Sequence, residues 1–409
     1  MTLHEKGDFP VWRFFALGAV AGAVGFGFVA GTLVFAAPLF AFSPGRIAQL
    51  VSLHGHVQLY GFVIALTIGV AYWFLPRLWG RPQRGVPWLV GTFLFSGILL
   101  RVVGSIIDQP RLALVGGGLE FVAFVQAGWD LARSVVQAPV AGKTRDPALV
   151  VGVIVAAVAL PLGLAADLCA MVGICTSGRV VSVLVGFYGA AVPIALAMTG
   201  RLFPLYFRTR VPHRRYLAWA LMVTTTGLWW RVGALVAEWS DGVRFGCALQ
   251  GAGLVGAIMA LRLLEPRQVR PAAKRSLWQD PYAWLATLAY TALGADALLL
   301  LGATFGDALP APALEWHLVG VGYLMVLITA VGPLLLAGFA GERTGATWTG
   351  WVNLGLVVMT ASLRIGAALA QGEAARWAGA AAGLVGATTV LLFAWHARIL
   401  SLRGTRSTL

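Results

Sequence analysis

Charged residues are scarce in this sequence, at 11% of its 409 residues. Soluble domains carry about 25% charged residues, so this composition argues against a soluble protein. Cysteine is also rare, with three residues in the whole chain, which excludes a scaffold held together by disulfides. The strict alternation of apolar and polar residues that marks half-buried strands is absent as well, so we do not expect a fold based on sheets.

Hydrophobic residues instead make up 59% of the chain, in long runs separated by short basic loops. Runs of this length predict membrane-spanning helices. We therefore predict an all-α integral membrane protein with about twelve transmembrane helices, forming a single polytopic membrane domain over residues 1–409. The first run is too long for the apolar part of a signal peptide, so we expect it to be retained. The predicted spans are roughly 12–37, 48–76, 86–107, 112–136, 147–171, 179–206, 214–237, 244–265, 282–305, 313–340, 346–370 and 375–400.

The basic residues follow a consistent pattern along the chain. The net charge is +14, but the arginines and lysines lie in loops between apolar runs, so we expect a lipid bilayer and no nucleic acid as partner. Loops after odd-numbered spans hold mostly single basic residues, such as Arg46, Arg111 and Arg376. By the positive-inside rule, both termini are predicted to be cytoplasmic. The basic residues after even-numbered spans are Arg77, Arg81, Arg84, Lys143, Arg145, Arg208, Arg210, Arg214, Arg215, Arg267, Arg270, Lys274, Arg275, Arg403 and Arg406.

The chain also contains an internal repeat of about 130–135 residues. Three arginines lie near the ends of predicted spans: Arg101 follows Leu-Leu, Arg231 follows Trp-Trp and Arg364 follows Ser-Leu. They are 130 and 133 residues apart. We predict three parallel four-helix repeats in a pseudo-threefold arrangement around an axis along the membrane normal. The repeat units are about 1–140, 141–275 and 276–409.

Histidines lie near the start of two equivalent spans. His54 and His56 precede Gly61 in the second span, and His317 precedes Gly322 in the tenth; aligning the two glycines places His56 on His317. Residues i and i+2 of a helix point about 200° apart, so at most one of His54 and His56 faces a given site. Ionisable groups at membrane depth are costly and mark candidate functional sites.

These histidines and the three repeated arginines all fall in the outer third of the membrane in the predicted topology. Two neutral imidazoles can ligate a haem iron, and arginines pair with planar carboxylates such as haem propionates. The same imidazoles also suit copper. The histidines could instead bond neighbouring helices, and the arginines could anchor helix ends at the interface. The candidate cofactor-binding residues are His54, His56, His317, Arg101, Arg231 and Arg364, with the three histidines as candidate metal ligands.

Other polar residues support no single interpretation. Cys169 and Cys175 flank the loop after the fifth span, where a short-loop disulfide, copper ligation together with Met171, or free thiols are all open. The intramembrane groups that either form a proton path or satisfy helix contacts are Glu120, Asp167, Gln250 and Asp296. The histidines expected at the surface or the membrane interface are His4, His213 and His396.

Several motifs recur in the order and spacing of one known family. His54-x-His56 is followed by Gly61-Phe62, and His317 is followed by Val-Gly after three residues. Together with Pro76-Arg77-Leu78-Trp79-Gly80-Arg81-Pro82, Gly200-Arg201-Leu202-Phe203-Pro204, Gly341-Glu342-Arg343 and Leu363-Arg364, these segments resemble helices two to eleven of the NnrS family. The usual family form of the first motif is His-x-His-Glu-Met, and this sequence has Val57 and Gln58 in place of Glu-Met.

The resemblance implies a twelve-helix membrane protein that contains haem, which we expect to be b-type, and also copper. It further implies a role in bacterial nitric oxide metabolism and nitrosative-stress resistance, with nitric oxide as a small ligand. A more distant resemblance to subunit I of haem–copper oxidases, where histidines on helices two and ten hold the low-spin haem, implies His54, His56 and His317 as ligands. Residues 179–237 lack a membrane histidine for the oxidase copper site, so oxygen reduction is not expected.

Two other functions stay open at this stage. A membrane transporter or channel for an anion or metal ion would use the intramembrane arginines, although the inverted repeats and broken helix pairs typical of carriers are not visible. A haem-positioning subunit of a respiratory complex is the other. The sequence does not identify an electron-transfer partner, nor whether the protein is an enzyme.

Overall fold

The computed structural model describes residues 10–80, 85–140, 146–263, 265, 279–305, 309–339 and 347–400. In this part of the chain, twelve long helical segments follow one another, which confirms the predicted all-α fold. Some of these helices contain a stretch of π-helix between two α-helical parts. Their bounds are α1 Val11–Phe40, α2 Pro44–Leu78, α3 Pro87–Ile106, α4 Pro110–Val136, α5 Pro147–Met171, α6 Gly178–Tyr206, α7 Arg214–Val236, α8 Ser240–Leu261, α9 Pro281–Gly302, α10 Pro312–Phe339, α11 Thr347–Leu369 and α12 Gly372–His396.

Among the described residues, eleven of these helices are long and apolar enough to cross a membrane. The exception is α7, which corresponds to the predicted seventh span and has 23 residues. Its sequence contains Arg231, a run of three threonines and several tryptophans, and these residues lower its mean hydropathy. The protein is thus a multi-pass membrane protein, in which α7 packs closely along α8.

Proline marks the start of many of these helices. A proline at the first helical position is favourable because its missing N–H would have no partner there and its φ already suits a helix. The chain supports two of these starts with side chains: Ser43 accepts a hydrogen bond from the Arg46 backbone, and Asp280 accepts one from that of Tyr282. The prolines at helix starts are Pro44, Pro87, Pro110, Pro147, Pro281 and Pro312.

The helices α2, α6 and α10 form the centre of the bundle. They are the most buried of the eleven apolar helices. Each contains a π-helical segment, beginning at Val57, Val185 and Leu318, so the segments are 128 and 133 residues apart. The three segments contact one another pairwise. Short π-helical segments inside α-helices are often found at functional sites, and in α2 and α10 they lie directly after His56 and His317.

The structure corrects the prediction for His396. We expected a surface or interface residue, but its side chain is buried at 3% exposure, because α9 and α11 supply hydrogen-bond partners at Tyr282 and Thr349. His213, by contrast, is exposed, as predicted. His4, the Gly341-Glu342-Arg343 motif and the basic loop residues between Arg81 and Arg84, Lys143 and Arg145, and Arg267 and Arg275 lie outside the described residues, as do Arg403 and Arg406.

The cysteines of the described residues are all free. Cys169 and Cys175 lie close along the chain, where the Cys175 N–H donates to the Cys169 carbonyl at 3.4 Å. The Cys175 thiol lies 3.4 Å from the Ser177 hydroxyl. The short-loop disulfide is therefore not formed in this structure.

Candidate functional site

The structure brings His54 of α2 and His317 of α10 together across the centre of the bundle. Their ring centroids are 6.5 Å apart, and their ring planes differ by only 10°. Imidazole nitrogens bind metals at about 2 Å, so two imidazoles on opposite sides of one metal have ring centres roughly 6 Å apart. The spacing of this pair therefore matches the separation that two imidazoles bound to a single metal centre would have.

Backbone hydrogen bonds fix the chemical form of both rings. The Nδ1–H of His54 donates to the carbonyl of Gly27 in α1 at 2.8 Å, and the Nδ1–H of His317 donates to the carbonyl of Ala313 at 2.5 Å. A carbonyl oxygen only accepts, so the proton of each neutral ring is on Nδ1 and the lone pair is on Nε2. Metal-ligating histidines typically donate their other ring N–H in this way.

Both histidines line a cavity of about 540 Å³ between α1, α2, α6, α10, α11 and α12. Small-molecule and cofactor sites have volumes of about 300–1,000 Å³ and mostly apolar walls. The walls here are largely aromatic and aliphatic, and include Phe28, Phe35 and Trp316. The cavity is large enough for a planar organic cofactor, and its polar groups are few.

Two arginines stand on the wall of this cavity. Arg364 of α11 lies over the ring of Phe35, with its guanidinium carbon 5.0 Å from the ring centroid. Arg179 lies in the first turn of α6. Within the described part of the chain, neither has a carboxylate in ion-pair contact. Arg364 was predicted from the sequence. Arg179 was missed, although its place at the start of the span equivalent to those of the histidines was a signal for it.

His56 also lines this cavity, as does Asp167 of α5, but the imidazole of His56 is engaged by a group of charged side chains. Its Nε2 is 2.5 Å from a carboxylate oxygen of Glu120, and its Nδ1 faces Asp167 at 3.8 Å. Arg101 joins the same two carboxylates, at 2.8 Å to Glu120 and 2.6 Å to Asp167. His56 and Arg101 are thus the two basic side chains of a buried cluster that contains two carboxylates. The sequence alignment paired His56 with His317, whereas the structure engages His56 with carboxylates and leaves His54 opposite His317.

Arg231 is likewise paired within the protein. Its two terminal nitrogens donate to the two carboxylate oxygens of Glu315 at 2.7 and 2.8 Å, in a bidentate fork. Arg101 and Arg231 are therefore neutralised by carboxylates of the chain, and of the three repeated arginines Arg364 is the one that lines the histidine cavity. Glu315 was not singled out from the sequence, although a carboxylate two residues before His317 in an apolar helix was a signal for it.

Across the described residues, no cluster of three or more histidine, cysteine or acidic side chains is arranged to hold a metal ion. The site built by His54 and His317 thus offers two protein ligands. A metal that is held mainly by an organic ring needs only axial ligands from the protein, so the donor set present here suits haem.

Gly31 of α1 controls how closely α1 approaches His54. A Cβ placed at Gly31 would lie 2.7 Å from the His54 Nδ1, so the ring would have to move away from its carbonyl partner. Losing such a supporting contact typically weakens metal binding about 10–100-fold. We expect Gly31→Ala to weaken haem binding by this factor, measured by haemin titration of the purified protein. Gly25→Ala is the matched control, because a Cβ there meets no atom within 4 Å; equal affinities in the two variants would contradict the prediction.

The fold and this cavity define a multi-pass α-helical membrane protein with a histidine pair facing a cofactor-sized space at its centre. The NnrS family, described as NnrS protein, matches residues 9–403, nearly the whole chain. The chain therefore belongs to the NnrS family. No curated protein matches the chain.

Proposed function

We propose that this protein is a haem-binding membrane protein of nitric oxide and nitrosative-stress physiology, with His54 and His317 as the axial ligands of a b-type haem. The observation that carries the proposal is the near-parallel pair of imidazoles at 6.5 Å in a cavity of about 540 Å³. Bound haem would supply redox chemistry and affinity for small diatomic ligands. Copper bound by the same imidazoles is the alternative metal.

The residues around the cavity have distinct roles in this proposal. Gly27 and Ala313 hold each imidazole in the tautomer whose Nε2 can ligate. Arg364 and Arg179 supply positive charge to the two propionates, for which guanidinium groups are well shaped. Phe35 and Trp316 line the cavity and would exclude water from a cofactor bound there.

The proposal includes a topology. The loop arginines favour cytoplasmic termini in a bacterial inner membrane, which places the histidine cavity toward the outer side. Three parallel four-helix repeats account for the spacing of the π-helical segments in α2, α6 and α10, which meet at the centre of the bundle. The electron donor is unidentified.

Growth under nitric oxide stress tests the physiological part of the proposal. A strain that lacks the gene is complemented with the wild type, with the His54→Ala/His317→Ala double variant, or with His213→Ala, which alters an exposed histidine away from the cavity. We expect the wild type and His213→Ala to restore growth and the double variant to fail at equal membrane abundance. Full protection by the double variant would contradict the proposal.

A further inference from the structure

A second buried polar cluster lies between α6, α7, α8, α9 and α10, outside the histidine cavity. Its members are fully or almost fully buried: Asp296, Glu315, Tyr188, Gln250 and Arg231. The hydroxyl of Tyr188 donates to Oδ2 of Asp296 at 2.9 Å. Oδ1 of Asp296, and both polar atoms of the Gln250 side chain, have no hydrogen-bond partner.

The charges of this cluster do not balance if Asp296 is ionised. Both carboxylate oxygens of Glu315 are engaged by Arg231, so the one cation is already matched by one anion. The remaining neighbours of Asp296 are the Tyr188 hydroxyl and the Cys247 thiol, which add no positive charge. An unpaired carboxylate in a membrane interior is too costly to persist, and such a group takes up a proton instead.

The cluster around Arg101 shows the contrast. There, Arg101 contacts both Glu120 and Asp167, and His56 also contacts Glu120, so each acid has a basic side chain within ion-pair distance. In the cluster around Arg231, the repeat equivalent of Glu120, 130 residues later, is the uncharged Gln250. The acid that pairs with Arg231 is instead Glu315 of α10. No histidine accompanies it, because Leu184 stands 128 residues after His56. Among the residues that the structure describes, Asp296 forms no ion pair, and the nearby Arg231 donates both terminal nitrogens to Glu315.

We infer that Asp296 is a proton-binding site inside the bundle, which holds an exchangeable proton at neutral pH with Tyr188 as its hydrogen-bond partner. The protonated carboxyl keeps the cluster electrically neutral and provides an O–H group where Asp296 otherwise has an unpartnered oxygen. Asp296 is not among the residues that line the histidine cavity, whereas Trp316, the residue after Glu315, is.

Infrared spectroscopy in H₂O and D₂O tests this inference on the purified full-length protein. We expect a carbonyl band of a protonated carboxylic acid at neutral pH that shifts in D₂O and is lost in Asp296→Asn. Asp241→Asn, which alters an exposed acid, should retain the band. Tyr188→Phe should retain it at a higher frequency, because the carbonyl loses its hydrogen bond.

Thermal stability gives a second readout. Asn replaces a neutral carboxylic acid with a neutral group of the same shape, so Asp296→Asn should fold and melt like the wild type. A band unchanged in Asp296→Asn, or a variant that fails to fold, would overturn the inference. The measurements are made on protein with and without haem, so a failure of the haem proposal would leave this result interpretable.

Discussion

We expect His54→Ala and His317→Ala each to lose the sharp reduced absorption bands of a haem with two imidazole ligands, with haem content falling at least about tenfold. The reason is geometric: the ring centroids of His54 and His317 are 6.5 Å apart across the cavity, so the proposed site needs both imidazoles. Altering groups that only support a ligand already weakens metal binding about 10–100-fold. Absorption spectra and haem content per protein measure the effect.

His56→Gln is the matched control for this prediction. Glutamine can still donate a hydrogen bond to Glu120, so the cluster around Arg101 keeps a donor at this position. We expect this variant to retain the reduced bands of the wild type. If His56→Gln lost the haem while His54→Ala kept it, the assignment of the ligands would be wrong, and His56 would be the partner of His317.

Removing the charge of Arg101 should strongly destabilise the protein. Arg101 is the cation shared by Glu120 and Asp167, all three nearly inaccessible. Breaking a buried ion pair by removing one partner costs about 3–5 kcal/mol, because an uncompensated charge stays buried. We expect Arg101→Met to lower the free energy of unfolding by about this amount, measured by thermal or denaturant unfolding in detergent.

Two further variants separate this effect from general damage. Arg376→Met removes an exposed ion pair with Glu373 and should cost less than about 1 kcal/mol. Neutralising both acids as well, in Arg101→Met/Glu120→Gln/Asp167→Asn, should recover part of the lost stability, because no unpaired carboxylate remains. A triple variant less stable than Arg101→Met would contradict this explanation.

The helices could be predicted from the sequence because apolar runs of this length have few alternatives in a membrane. The predicted third span, 86–107, differs by one residue at each end from Pro87–Ile106. The second span was predicted to begin at residue 48, but the helix begins at Pro44. Its first turn is capped by Ser43 and is not apolar, so the apolar pattern does not reveal it. The π-helical segments were not predicted, since they depend on packing at the centre of the bundle.

The pairing of His54 with His317 across the cavity could be predicted only in part. The opposite orientations of His54 and His56 follow from helical geometry, and their different partners, Gly27 and Glu120, agree with it. The rotation of α2 about its own axis decides whether His54 or His56 points toward His317 of α10. The sequence pattern does not predict that rotation. The alignment of Gly61 with Gly322 favoured His56 and therefore gave the other pairing.

The buried ion pairs show a similar limit. Intramembrane arginines indicate that partners exist, but a carboxylate of the chain and a propionate of a cofactor satisfy a guanidinium equally well. Glu315 is 84 residues from Arg231, and only the packing of α7 against α10 brings the two together. Arg364 was left on the cavity wall because no described acidic residue reaches it.

The absorption spectrum of the purified wild type, oxidised and dithionite-reduced, with iron and copper quantified in the same sample, tests the central claim most directly. The protein should be made in cells supplied with haem. We predict sharp reduced bands and about one iron per cavity, as the single histidine pair requires. A well-folded protein that is colourless and free of iron would contradict the claim, and copper in place of iron would assign the same imidazoles to a copper site.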